Sequence, residues 1–262
     1  MYLVINIQFQ VNGHQFLAKS WNQFNTTSKF LPVFTVTLSS QTDEFHGIEC
    51  FKTNRKWSHV SRRGGDVMLV DDEWKNAVIL PLQNSEHLAS FFCQIFYTHA
   101  VQRQILYFHR SLIKINNRGL MFLGPSGIGK TTQAKLWSKY RDALIINGDV
   151  VFVQETDENF LGWGTPWHGS SPYCENTNVP IHAMIILKQD SKNSIRELTA
   201  FEKVTAVSNS VFYPRWLENG MELCLKILDH LLTAIPVYEL SCRPDEEAVK
   251  LTEETVFAKD IL

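Results

Sequence analysis

The sequence predicts an α/β protein in which a mixed, twisted sheet carries a phosphate-binding loop (P-loop) and a small, mainly β lobe precedes it. Short apolar runs typical of strands recur along the chain, and segments with helical spacing of apolar residues alternate with them after residue 84. A glycine-rich segment stands between one such run and the helical pattern that follows it. With 262 residues, of which 44% are hydrophobic and 20% charged, the chain is long enough to bury a large core.

The N-terminal region has the pattern of strands separated by polar or glycine-containing loops. The strand-like runs are 3–7, 33–38, 67–70 and 77–80. From Asn84 the apolar period becomes helical, and one face of the predicted helix collects Leu88, Phe91, Phe92, Ile95, Phe96 and His99, which we interpret as core. We therefore predict a mainly β lobe over 1–83 and a second domain, with alternating strands and helices, over 84–262.

The second region begins with a predicted hairpin. Runs 111–115 and 119–123 are joined by Asn116-Asn117-Arg118, and asparagine tolerates the positive φ that a tight turn needs. Beyond it, helices are predicted at 130–139, 202–211, 216–233 and 245–257. Further strands are predicted at 105–108, 143–146, 150–153, 160–163, 181–187 and 236–241.

Composition and charge exclude several classes of partner. The formal net charge of -2 provides no global excess of positive charge to attract nucleic acid or a membrane surface. The N-terminus lacks the features of a signal peptide, and no run approaches the roughly 20 apolar residues of a membrane helix. The five cysteines show no metal-binding spacing, which favours free thiols and a cytoplasmic location. The oligomeric state stays open, with a homo-oligomer as one possibility.

The strongest motif is a glycine loop that satisfies the pattern G-x-x-x-x-G-K-[ST]. Its residues are Gly124, Pro125, Ser126, Gly127, Ile128, Gly129, Lys130, Thr131 and Thr132. Glycines let the backbone aim its N–H groups at phosphate oxygens, and the helix that follows adds the positive end of its dipole. We expect Lys130 to reach the β- and γ-phosphates of a nucleoside triphosphate and the Thr131 hydroxyl to ligate Mg²⁺.

Asp149 is the predicted acidic partner of this loop. It ends the apolar run Ile145-Ile146 after a short Asn-Gly step, and a phosphate-loop enzyme places a metal-binding carboxylate at the end of a buried strand. The alternative is an ordinary turn aspartate. His109 follows the run 105–108, and on its own a histidine among apolar residues is more often a core group.

The stretch from His109 through the hairpin and the glycine loop to Asp149 resembles the HPr kinase/phosphorylase group. This resemblance covers about residues 105–153. That group shares its nucleotide-binding core with ATP-dependent phosphoenolpyruvate carboxykinase. A weaker similarity to uncharacterised bacterial relatives continues through 164–169, 178–180 and 237–244.

The resemblance implies an ATP- and Mg²⁺-dependent kinase that phosphorylates a serine or threonine hydroxyl of a peptide or small protein. Residues 84–262 would be its nucleotide-binding catalytic domain. Residues 124–129 and Lys130 would hold the phosphates, and Thr131 would help to hold magnesium. Asp149 would be a metal ligand or the base that takes the proton from the acceptor. His109 would stabilise charge or handle a proton beside the reacting phosphates.

One departure concerns the paired aspartates of that group, because Gly148 stands where the first of them is expected. Either both roles fall to Asp149 or the alignment shifts by one residue. The segment with which the kinase docks its protein substrate is also missing, so HPr is not the expected acceptor. Some relatives from peptide-modification clusters phosphorylate a serine of a peptide.

The irregular, tryptophan-rich segment 162–174, which includes His168, is either an acceptor-binding lid or a rigid surface loop. Arg215 and Arg243 are weak candidates for phosphate contacts. Two other functions stay open: a small-molecule kinase, and a nucleotide-binding regulatory or assembly subunit with little catalysis. A carboxykinase is disfavoured by the length of the chain.

Overall fold

The structure, a computed structural model, describes residues 5–9, 19–24, 33–38, 57–80 and 84–258. The described residues form two mixed sheets and five α-helices, so the predicted α/β class is confirmed. The chain divides into two compact units, Met1–Ala100 and Val101–Leu262. The predicted boundary after residue 83 falls before a long helix, nearly all of which lies in the first unit.

The first unit contains a five-stranded sheet in the order β1-β2-β5-β4-β3. Its strands are β1 (Ile5–Phe9), β2 (Phe34–Leu38), β3 (His59–Arg63), β4 (Asp66–Val70) and β5 (Asn76–Leu80), and its helices are a 3-10 helix (Lys19–Phe24) and α1 (Ser85–Val101). β1, β2 and β5 are parallel, whereas β4 and β3 are antiparallel to their neighbours. Residues 3 and 4, with which the first predicted strand begins, lie outside the described residues.

The apolar face predicted for α1 is buried. Leu88, Phe91, Phe92 and Ile95 are almost fully buried, and Phe96 is half-buried. The buried His99 ring forms a 2.8 Å hydrogen bond between its Nε2 and the carbonyl oxygen of Trp74. The interpretation of this stripe as core, with a satisfied histidine, is therefore confirmed.

The second unit holds a ten-stranded mixed sheet. Its strands are β6 (Ile105–Phe108), β7 (Ser111–Ile115), β8 (Arg118–Leu123), β9 (Leu144–Asn147), β10 (Val151–Glu155), β11 (Phe160–Trp163), β12 (Asn178–Gln189), β13 (Ser194–Glu197), β14 (Val211–Phe212) and β15 (Val237–Cys242). Its helices are α2 (Lys130–Arg141), α3 (Ala200–Ser208), α4 (Gly220–Ala234) and α5 (Glu246–Val256).

Strand β12 organises this sheet because it is long enough to have three neighbours. It runs parallel to β8 and β15 and antiparallel to β11. On the other side of β8, β7 lies antiparallel to both β8 and β9. The β7–β8 turn has Asn116 and Asn117 at φ 46° and 60°, as the predicted hairpin requires.

Helix α2 covers the sheet around β7, β8 and β9 and buries one face in the main core. Trp137, at the centre of that face, is fully buried and meets Phe257 edge-on with ring centroids 6.4 Å apart. Burial of a side chain of this size fixes α2 against the strands that carry the glycine loop.

The four cysteines in the described part of the chain, Cys93, Cys174, Cys224 and Cys242, are all free thiols, as predicted, and Cys50 lies outside it. Within the same residues no helix has the length and apolar character needed to cross a bilayer.

Candidate functional site

The topology brings three chain segments to one edge of the larger sheet. Because β8 and β9 both pair antiparallel with β7, their carboxyl ends point the same way, toward the start of β7. The glycine loop follows β8, the Gly148–Asp149 step follows β9, and His109 and Arg110 immediately precede β7. The predicted loop, acid and histidine are therefore neighbours in space.

The glycine loop has a backbone conformation that other residues rarely adopt. Gly127 and Gly129 have φ values of 79° and 112°, and a Cβ atom at either position would have no heavy atom within 4 Å. Glycine is therefore required there by the backbone and not by crowding. This shape turns the chain directly from β8 into α2.

The start of α2 leaves several backbone donors without an intrahelical acceptor. The N-cap Gly129 provides no side-chain cap, and the first hydrogen bond of the helix runs from Gln133 N to Gly129 O at 2.8 Å. The N–H groups of Lys130, Thr131 and Thr132 precede that bond. Three such donors at the positive end of a helix dipole suit an anion.

Lys130 lies folded against the loop. Its Nζ donates to the carbonyl oxygens of Gly124 at 3.1 Å and Pro125 at 2.9 Å. Burial lowers the pKa of Lys130, the positive charge of Arg110 lowers this pKa further, and the negative charge of Asp149 opposes both effects. These three charged groups are therefore within electrostatic reach of one another.

His109 and Asp149 form a pair beside the loop. The Nε2 atom of His109 lies 3.0 Å from Oδ1 of Asp149, with 58% of the histidine side chain and 25% of the aspartate side chain exposed. Ser111 Oγ also donates to the carbonyl oxygen of Gly148 at 3.0 Å. His109, which precedes β7, and Ser111, its first residue, thus hold the Gly148–Asp149 step at two points and leave a quarter of the Asp149 side chain exposed.

Asn147, which the sequence did not single out as a site residue, fixes the position of Asp149. Its fully buried side chain accepts hydrogen bonds through Oδ1 from the N–H groups of Asp149 at 2.8 Å and Val150 at 2.9 Å. Its amide donates to Thr165 O at 2.9 Å and approaches the carbonyl oxygen of Trp167 at 3.3 Å. An asparagine that closes a strand before Gly-Asp is the local signal for such a turn.

The irregular loop Gly164–Cys174 packs against the same step. A Cβ atom on Gly148 would lie 2.0 Å from Oγ of Ser171, and one on Gly169 would lie 2.4 Å from Oδ2 of Asp149. Ser171 N donates to His168 O at 2.9 Å, and the His168 ring returns a short hydrogen bond to Ser171 O. The loop therefore occupies the space that an aspartate at position 148 would need.

Arg110 is the second residue of the site that sequence reasoning missed. Only 8% of it is exposed, and its guanidinium donates to the backbone oxygens of His109 at 2.5 Å and Asn209 at 3.4 Å. Its buried Nε has no hydrogen-bond partner in the described part of the chain. Burial lowers the pKa of Arg110 to about 10, so the side chain stays positively charged at neutral pH. Its position in the bend between His109 and Ser111 gives no pattern from which its burial could be predicted.

A cavity of about 350 Å³ lies on the other side of the glycine loop. It is bounded by the loop, the first turn of α2 and the segments that end or follow β12 and β15. In its wall, Gln133 is nearly fully buried, and its Oε1 has no hydrogen-bond partner among the described residues. This volume falls within the range of small-ligand sites in proteins, which begins at roughly 300 Å³.

Among the described residues, neither of the two arginines named from the sequence has a side-chain hydrogen bond or ion pair with the glycine loop, His109 or Asp149, and Arg243 is engaged elsewhere. Arg243 borders the cavity, where it binds Asp245 and Glu247, each at 2.8 Å. Two carboxylates therefore already neutralise its charge. Arg215 is exposed in the turn between β14 and α4.

The hydroxyl of Thr131 and the carboxylate of Asp149 are oxygen ligands that suit a magnesium ion bound together with phosphates. They are too few to hold a metal ion by themselves. Mg²⁺ prefers oxygen ligands and is commonly bound by one or two protein groups together with substrate phosphates. Among the described residues no group of three histidine, cysteine, aspartate or glutamate side chains is arranged to hold a metal ion. These two residues thus suit a magnesium ion that arrives with a nucleotide.

Comparisons with known proteins add little to this geometry. No protein-family model and no curated protein matches the chain. The solved structures that match include one described as the Hpr(Ser) kinase/phosphatase from Coxiella burnetii, with a TM-score of 0.37 and 10% sequence identity, covering 59% of this chain and 98% of that one. A similarity at this level supports no conclusion about function, which has to come from the residues themselves.

Proposed function

We propose that this chain is an ATP- and Mg²⁺-dependent phosphotransferase that moves the γ-phosphoryl group to a serine or threonine hydroxyl of a peptide or small protein. The observation that carries the proposal is the His109–Asp149 pair, whose Nε2 and Oδ1 atoms are 3.0 Å apart beside the glycine loop. The negative charge of Asp149 acts to raise the pKa of Lys130 in that loop. A carboxylate and a cationic loop at one sheet edge are the parts that phosphoryl transfer needs.

The triphosphate of ATP would lie along the glycine loop. The donors at the start of α2 would bind phosphate oxygens, and Lys130 Nζ would exchange its two carbonyl acceptors for the β- and γ-phosphates. The nucleoside would enter the cavity behind the loop, where Gln133 Oε1 offers an unused acceptor. The γ-phosphate would then be at the end of the loop that faces Asp149.

Asp149 would act as the base in the transfer step. The acceptor oxygen forms a bond to the γ-phosphorus, the bond from this phosphorus to the β–γ bridging oxygen breaks, and the hydroxyl proton moves to the Asp149 carboxylate. His109, in contact with Oδ1, would orient this carboxylate and share the proton. Magnesium, held by Thr131 and Asp149 with the phosphates, would supply charge neutralisation.

A second function deserves a test because Ser171 fills the space beside Gly148. With a single carboxylate at this turn, the chain would bind ATP as a regulatory or assembly subunit and turn it over slowly. This alternative shares the nucleotide site and differs only in the outcome of transfer.

Transfer of label from γ-³²P-ATP tests the proposal. The full chain is incubated with magnesium and with cell extract fractionated into proteins, peptides and small molecules. We expect label on a peptide or protein, reduced by at least about a hundredfold in Lys130→Ala and Asp149→Asn. Lys135→Ala and Asp157→Asn, which change exposed residues of the same unit, are the matched controls.

Each other outcome excludes the proposed acceptor. Label on a small molecule alone would identify a small-molecule kinase. Tight ATP binding that depends on Lys130, with no label transferred to any fraction, would identify the binding subunit.

A further inference from the structure

We propose that Arg110 is a binding residue for the γ-phosphoryl group and distinguishes ATP from ADP at this site. This inference rests on the proposed nucleotide site and adds a residue that belongs to neither the glycine loop nor the His109–Asp149 pair. Its basis is a buried guanidinium that has no carboxylate partner in the part of the chain that the structure describes.

The burial of Arg110 is unusual for its charge. Charged side chains are almost never fully buried unless an opposite charge pairs with them, because removing an ion from water is costly. Arg110 is 8% exposed, and no carboxylate in the described part of the chain lies within salt-bridge distance of it. The positive charge of Arg110 therefore has no carboxylate partner among the described residues.

The backbone partners of Arg110 do not account for this arrangement. Two of its five N–H groups donate to carbonyl oxygens, one of them on Asn209 at the carboxyl end of α3. These neutral oxygens offset part of the charge, since the end of a helix dipole carries only about half an elementary charge. The buried Nε still has no acceptor among the described residues.

The position of Arg110 places its charge at the reacting end of the site. The chain bends at this residue, and its neighbours His109 and Ser111 both contact the Gly148–Asp149 step. Its charge also acts on Lys130 of the glycine loop. The backbone of Arg110 therefore lies between two residues that contact the Gly148–Asp149 step, and Arg110 is not among the residues that line the cavity.

The chemistry of this position favours a phosphoryl group. A planar guanidinium donates in parallel to two oxygens of a phosphate, and a charged hydrogen bond contributes about 1.5–3 kcal/mol. Glycine in place of a carboxylate at position 148 leaves the site more positive than two carboxylates would. A γ-phosphate, which ADP lacks, would provide a negative charge that no described carboxylate places beside Arg110.

The test compares ATP with ADP by titration calorimetry of the full chain in magnesium buffer. We expect Arg110→Met to weaken ATP binding by about 10- to 100-fold and to change ADP binding by less than about threefold. Arg110→Lys, which keeps the charge without the planar fork, should give an intermediate loss for ATP. Arg196→Met on the exposed strand β13 should change neither.

The readout separates this inference from the proposed function because it needs no acceptor and no turnover. A selective loss of ATP affinity supports the role of Arg110 even if no label is ever transferred. Equal weakening of ATP and ADP, or no weakening of either, overturns it even if the wild-type chain is an active kinase. If Arg110→Met does not fold, an unchanged ATP-to-ADP ratio in Arg110→Lys overturns it.

Discussion

At the scale of single residues, glycine at position 148, where the resemblance leads one to expect an aspartate, is explained by the packing of Ser171 against it. The turn after β9 carries one carboxylate, and Oγ and Cβ of Ser171 lie 2.0 and 2.6 Å from where a Cβ on residue 148 would be. Real Cβ atoms essentially never come this close to other heavy atoms. The glycine and the loop Gly164–Cys174 are therefore matched to each other, and the absence of a second aspartate is built into the packing.

We predict that Gly148→Ala destabilises the protein through this contact. Overpacking of a well-packed site costs typically about 1–3 kcal/mol, and the clash involves a Cβ atom alone. In a Ser171→Gly background the same substitution should cost less than about 1 kcal/mol. Chemical unfolding of the two single variants and the double variant measures this coupling. Equal costs in both backgrounds would show that Ser171 is not the obstacle.

At the scale of elements, Asn147 joins the end of β9 to the loop Gly164–Cys174. One buried amide holds the N–H groups of Asp149 and Val150 on one side and the backbone of Thr165 on the other. The position of the candidate base thus depends on an element that is more than ten residues away in the sequence. The loop Gly164–Cys174 therefore belongs to the site, because it helps to fix the turn that carries Asp149.

We predict that Asn147→Ala lowers the free energy of unfolding by about 2–4 kcal/mol, since it leaves several buried groups unpaired. Asn147→Asp keeps Oδ1 and loses the amide donors, so it should release the loop and preserve the turn. Hydrogen exchange of the Asp149 and Val150 amides distinguishes the two variants. Rapid exchange in Asn147→Asp as well as in Asn147→Ala would mean that the turn depends on the loop.

The regular elements follow from sequence pattern where one face is consistently apolar. Helices α1, α2, α4 and α5 appear at the predicted places, as do most of the strands. The strands that pattern did not reveal are short, exposed or both: β3, β13 and β14. The predicted helix over 202–211 is wrong in its last residues, since α3 ends at Ser208 and β14 pairs with β6.

Some residues of the candidate site could be predicted from local sequence, and others depend on tertiary contacts. The glycine loop and Asp149 were predictable because their chemistry lies in contiguous residues at the end of a strand. Asn147, Ser171 and Arg110 were not, because their roles depend on contacts with residues distant in the chain. Arg110 in particular is of interest because it is buried, and no pattern in the sequence around it predicts that burial.

At the scale of the whole molecule, every candidate residue belongs to the second compact unit. Its sheet brings the ends of β8 and β9 and the start of β7 together, so one topological feature assembles the loop, the acid, the histidine and the buried arginine. The first unit, Met1–Ala100, contributes none of the residues proposed for nucleotide binding or transfer.

The most direct test of the central claim is a calorimetric titration of the full chain with ATP and magnesium. We predict saturable binding near one equivalent, weakened by about 10- to 100-fold in Lys130→Ala, because a charged hydrogen-bonding partner of the phosphates is lost. Lys135→Ala, an exposed lysine of the same helix, should bind like the wild type. No binding by the wild-type chain, or equal affinity in all three proteins, would contradict the account.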